Sequence, residues 1–103
     1  MTRIAAALLT VSFLVALASA ASAADAYNGV RLAERWCATC HIVSPVQQRG
    51  TTQAPPFSEV AKREHIDAPM VAFYLMNPHP KMPDMNLSRS EAADIAAYIV
   101  SLK

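Results

Sequence analysis

Cys37, Cys40 and His41 stand in one run, Trp36-Cys37-Ala38-Thr39-Cys40-His41. Two thiols three positions apart with an imidazole directly after them form the attachment signature of a c-type haem. The spacing follows from the chemistry. Near the end of a helix, each thiol can add to one of the two vinyl groups on a porphyrin edge, and the next residue then lies under the iron. His41 can supply a ring nitrogen there as the proximal ligand. These are the only two cysteines of the chain, so no thiol remains for a disulfide elsewhere.

Other uses of a C-x-x-C pair fit less well. A thioredoxin-type redox pair needs a βαβ context, and no strand pattern precedes Cys37. A structural zinc needs about four ligands. Cys37 and Cys40 give two, and no second C-x-x-C or H-x-x-x-H follows. One haem per chain, thioether-linked through Cys37 and Cys40, is therefore the expected cofactor.

The sixth position of the iron decides between electron transfer and ligand chemistry. Met82, in Lys81-Met82-Pro83, is the leading candidate, because Pro78, Pro80 and Pro83 stiffen the loop that carries it. Met85 and His79 are the other candidates, and an open sixth position is the remaining alternative. A Met/His pair raises the reduction potential and leaves no open coordination position. The other ring nitrogen of His41 should donate to a backbone carbonyl, with Pro55 a suitable source. Arg63, Arg49 and Lys62 are candidates to face the propionates, and His65 has no matching context.

The elements that must position these residues are helical. Residues 25–36 read as a first helix, with Asp25 or Asn28 as N-cap. Gly29, Leu32, Ala33, Trp36 and Cys37 form one stripe of a 3.6-residue period. Gly29 either lets another helix backbone come close or marks the helix start. Residues 42–56 are broken into loop by Pro45, Gly50, Pro55 and Pro56, and a short helical turn spans 57–63. Asp67 caps a short buried helix through Met76, whose methionines and aromatics read mostly as core filling. Residues 77–86 are too proline-rich for regular structure. Ser88 and Glu91 then make a capping box for a last helix, with Leu87 as its staple. Ile95, Tyr98, Ile99 and Leu102 are its apolar stripe, and Lys103 complements its C-terminal dipole.

The first 23 residues read as a secretory signal peptide: basic Arg3, a short apolar run from Ile4 to Leu17, and small residues ending at Ala23. The remaining 24–103 allow one domain, small enough that a buried haem would serve as a staple. The chain has nine Lys and Arg, of which Arg3 lies in the signal, against eight Asp and Glu. The mature charges balance, which points to neither nucleic acid nor an anionic membrane as a partner. Membrane association is expected only if the signal segment stays uncleaved.

With these parts in place the mature chain resembles the class I cytochromes c, in their short bacterial monohaem form. Cys37-Ala38-Thr39-Cys40-His41 is similar to the haem run, Lys81-Met82-Pro83 to the methionine loop, and Ser88 to Ile99 to the terminal helix. The resemblance implies an all-α fold, three to four helices wrapped around one haem, with the first and last helices crossing. It places Gly29 at that crossing opposite Ile95 and Tyr98, with Ala33 where a large aromatic is common. Ala54-Pro55-Pro56-Phe57 resembles the segment whose proline carbonyl takes the histidine proton, and Arg63 falls where an arginine often serves a propionate. No tryptophan matches the family's propionate-binding tryptophan; Trp36, next to Cys37, is expected near the haem edge or on the surface.

The function implied is a non-enzymatic periplasmic one-electron carrier without a small-molecule substrate, meeting redox protein donors and acceptors in transient contacts. The alternative is a tightly bound haem subunit of a periplasmic oxidoreductase. The docking rim is expected to include Ala38, Ile42, Val43, Lys81 and Met85.

Overall fold

The structure is a computed structural model, and it describes residues 23–47, 50, 54–77 and 79–103. The expected signal segment, up to Ser22, lies outside the described residues. Among the described residues four helices follow in order: α1 (Ala26–Trp36), α2 (Phe57–Ala61), α3 (Ala68–Met76) and α4 (Arg89–Val100). Among the described residues there is no strand, so the expected all-α architecture is the one observed.

Local chemistry sets the ends of each helix. The Asp25 carboxylate accepts from the backbone N–H of Tyr27 and Asn28, at 2.9 and 3.1 Å, so Asp25 is the N-cap of α1. Asp67 does the same for α3, accepting from Met70 N at 2.8 Å, and Pro69 sits in the first turn, where it costs no hydrogen bond. At α4 the Ser88 hydroxyl accepts from Glu91 N and the Glu91 carboxylate accepts from Ser88 N, a complete capping box. Such caps are worth about 1 kcal/mol each. The short α2 has Pro56 as its N-cap and no side-chain cap. It is held from outside, by Phe57 N donating to Ile42 O and by burial of Phe57 and Ala61.

α4 is the centre of the packing, and α1, α2 and α3 all lie against it. Ala92, Ile95 and Ala96 are fully buried, and Asp94, Tyr98 and Ile99 nearly so. A helix enclosed on several sides buries more than one stripe, which is why Asp94 is buried although it lies off the apolar line.

The closest approach is between α1 and α4. A Cβ at Gly29 would stand 2.0 Å from the Asp94 carbonyl oxygen and 2.6 Å from its carbon. Gly29 is thus a close-approach glycine and not a mere helix start. The same Asp94 turns its carboxylate onto the beginning of α1, accepting from Asp25 N at 2.7 Å and from Asn28 Nδ2 at 2.8 Å. Asn28 is therefore a tie between helices, while the capping falls to Asp25.

Three expectations need correction. On α1 the buried line is Gly29, Ala33 and Cys37, four residues apart, and Trp36 falls beside it, 41% exposed with the Arg35 guanidinium 4.9 Å from its ring centre. On α3 only Val71 and Leu75 are buried, whereas Met70, Phe73, Tyr74 and Met76 are exposed on the polypeptide. One face of α3 meets α4, and among the described residues no other helix meets the rest. Lys103 reaches past its own helix, donating from Nζ to Ile66 O at 2.7 Å.

The Gly29 contact is with backbone, which cannot swing away. Gly29→Ala is expected to destabilise the haem-loaded protein by about 3 kcal/mol, the upper end of overpacking costs. Guanidinium unfolding followed by circular dichroism checks this, and an unchanged midpoint would contradict the crossing geometry.

Candidate functional site

The C-x-x-C-H run continues from the end of α1 as a single tight turn. Cys37 is the C-cap, its N–H donating to Ala33 O. Its carbonyl in turn accepts from Cys40 N at 3.2 Å and His41 N at 2.9 Å. Cys37 is buried and Cys40 exposed. Burial pushes the Cys37 thiol up to about 11, with the charge of Cys40 a smaller cause in the same direction. In the unmodified chain Cys37 is accordingly a neutral thiol at physiological pH.

His41 is half-buried and its ring is fixed on two sides. Nδ1 lies 2.7 Å from the carbonyl oxygen of Pro55. A carbonyl can only accept, so Nδ1 carries the proton and Nε2 keeps its lone pair. The ring of buried Phe57 lies 5.1 Å from the imidazole, tilted by 51°. Phe57 in turn is 6.5 Å from the ring of Tyr98, which links the imidazole to α4.

The backbone after His41 is held by groups from distant parts of the chain. Ile42 O accepts from Phe57 N at 3.0 Å. Val43 O accepts from the Tyr98 hydroxyl. Burial, and secondarily the charge of Glu34, raises the pKa of Tyr98 above the ordinary tyrosine value. Val43 itself is only 1% exposed and so leaves the set of residues available for docking, while Ile42 and Lys81 stay exposed and Ala38 and Met85 half-exposed.

Met82 is half-buried and packs against the core. Its N–H donates to His79 O at 2.9 Å, closing a turn. Further on, Asn86 N donates to the Asp84 carboxylate at 2.8 Å, with Asn86 at a φ of 51°, a conformation asparagine tolerates. His79 is exposed. The structure thus brings Cys37, His41, Pro55 and Phe57 together. Arg63 and Lys62 are exposed in the turn after α2 and make no hydrogen bond to that group, and Arg49 lies outside the described residues.

The sequence model of the family "Cytochrome c" matches residues 26–103. A cytochrome c-552 from Bradyrhizobium diazoefficiens is 52% identical over 85 residues, which cover 82% of each chain. This chain belongs to the class I monohaem cytochrome c family. No solved structure matches it.

Membership brings a covalently bound c-type haem, and the residues present fit one. The paired thiols sit on a single turn, and the imidazole beside them has its outer nitrogen left as a donor. Buried Phe57 beside the imidazole adds an apolar surface of the kind a porphyrin packs against. As a member of this family the protein is a haem-based electron carrier. Asp94, bonded to the start of α1, and Gln47, bonded to the backbone after Cys37, have no sequence signature: each is a polar residue whose partners are distant or backbone groups.

Tyr98→Phe would leave the buried Val43 carbonyl without its donor, at an expected cost of about 1–3 kcal/mol. The folded pKa of Tyr98 is raised, so its share of stability is full below the unfolded value near pH 10 and is lost as pH rises through the folded value. The gap between wild type and Y98F should therefore be flat at neutral pH and narrow above about pH 10. Urea unfolding across pH 7–11 checks both parts.

Proposed function

We propose that this protein is an exported, periplasmic one-electron carrier whose haem iron is held by His41 on one side and Met82 on the other. The observation that supports the reading is the 2.7 Å hydrogen bond between His41 Nδ1 and Pro55 O, which leaves Nε2 as the ring nitrogen available to a metal. The bound haem supplies an iron that gains and loses one electron at a time. Cys37 and Cys40 anchor it. Met82, half-buried on a mostly exposed, turn-closed loop, offers a soft thioether and closes the remaining face, so that no substrate position is left. Phe57 and the apolar side of α3 keep water from the ring. Arg63 is the side chain we assign to a propionate.

Because electrons can leave through the exposed porphyrin edge, donor and acceptor need only brief contact. The balanced charge of the mature chain suits small, partly apolar encounters rather than strong steering. A second reading, a subunit bound to a larger oxidoreductase, is favoured by the exposure of Met70, Phe73 and Met76 on α3. Size-exclusion chromatography of periplasmic extract separates the two: a carrier elutes at its own mass, a subunit with its partner.

Met82→Ala should abolish the methionine-to-iron charge-transfer band, lower the reduction potential and admit external imidazole. Survival of the band in M82A, with its loss in Met85→Ala, would move the assignment to Met85. Export is checked separately. Intact mass of the protein from the periplasmic fraction is expected to fit a chain beginning at Ala24 plus one haem, and a chain retaining Met1 would refute cleavage.

A further inference from the structure

Among the described residues, the Gln47 side chain makes three hydrogen bonds to the backbone of the ligand loop. Its Oε1 accepts from Val43 N at 2.9 Å. Its Nε2 donates to His41 O at 2.9 Å and to Ala38 O at 3.1 Å. An amide has two N–H donors, and both are spent on carbonyls of the segment that begins inside the C-x-x-C pair and ends at the imidazole-bearing residue.

These backbone groups need such a partner. α1 ends at Trp36, so carbonyls beyond it lack helical donors. Val43 is almost wholly buried, so its N–H cannot turn to water. The neighbouring groups are satisfied from elsewhere, Ile42 O by Phe57 N and Val43 O by Tyr98. Gln47 completes the set and donates to the carbonyl of His41 itself. Gly50 closes over it: a Cβ there would stand 2.8 Å from Ile42 Cγ1 and 3.2 Å from Gln47 Nε2.

We infer that Gln47 is a positioning residue for the iron ligand, its amide fixing the backbone from Ala38 to Val43 and thereby the orientation of the His41 imidazole. This rests on His41 as the ligand proposed above. Pro55 holds the ring from its Nδ1 side, and Gln47 holds the peptide from which the ring hangs. With both in place the imidazole plane has one setting. Without Gln47 the peptide can rotate while the Pro55 bond follows it.

The test uses haem-loaded Gln47→Leu, which keeps the bulk and removes all three bonds. Asn28→Ala is the control, because it removes a tie to Asp94 about 13 Å up α1 from Cys37 without changing charge. Both variants should be less stable than wild type. Only Q47L should alter the electron paramagnetic resonance g-values of the oxidised haem and shift its equilibrium with a redox dye, by roughly threefold or more. If Q47L loses stability like N28A and leaves spectrum and equilibrium unchanged, Gln47 is merely structural and the inference fails. Should Q47L yield no haem-loaded protein, the same two readings on Gly50→Ala decide, since that change keeps the amide and only crowds it. A wild-type spectrum without histidine-ligated low-spin iron would instead refute the ligand assignment itself.

Discussion

Gly29 and the Asp94 peptide touch backbone to backbone, and the rest of the fold is arranged around that contact. It brings α1 close enough to α4 for the Asp94 carboxylate to reach the first turn of α1. A carboxylate buried this deeply costs free energy unless its oxygens are bonded, and both are. No buried side-chain oxygen or nitrogen among the described residues lacks a partner. The polar cost of the crossing is thus offset on the spot, and the gain is position: Cys37, eight residues after Gly29, emerges at a defined place beside the core.

From that point the chain has a harder problem. Residues 37–56 contain no helix among those described, yet His41 must be held steady and Val43 is buried. Regular structure would satisfy the backbone automatically, and a loop cannot. The solution is to lend donors and acceptors from elsewhere: Tyr98 from α4, Phe57 from α2, and Gln47 from the loop itself. Tyr98 serves twice, since its helix forms the crossing and its hydroxyl reaches the ligand loop. A disturbance at α4 therefore has a direct route to the imidazole, through one hydrogen bond and two ring contacts.

The legibility of these features in the sequence follows from the range of the physics behind each. Asp25, Asp67 and the Ser88–Glu91 box act over two or three residues, so spacing alone reveals them. The C-x-x-C-H run is equally local. Gly29 was ambiguous until its partner, 65 positions away, was seen beside it. Asp94 and Gln47 were not legible at all. A polar side chain that bonds scattered backbone groups leaves no period and no motif. Trp36 and α3 show the converse. Periodicity puts Trp36 on the apolar stripe and apolar character reads α3 as buried, but burial also depends on which neighbours the fold supplies, and among the described residues α3 has a helix on one side only.

That incomplete cover on α3 is best understood together with the cofactor. A helix from Ala68 to Met76 without a charged residue would be a liability on an ordinary small protein. In a cytochrome c the porphyrin is part of the core, so the chain must leave apolar side chains for it to pack against. Val71 and Leu75 are buried, and the exposed apolar side chains of α3 are then left to meet another group. The balance of fold and function is set here. The polypeptide keeps its hydrogen bonds for holding one imidazole still, and leaves part of its apolar surface to be completed by the group whose electron it carries.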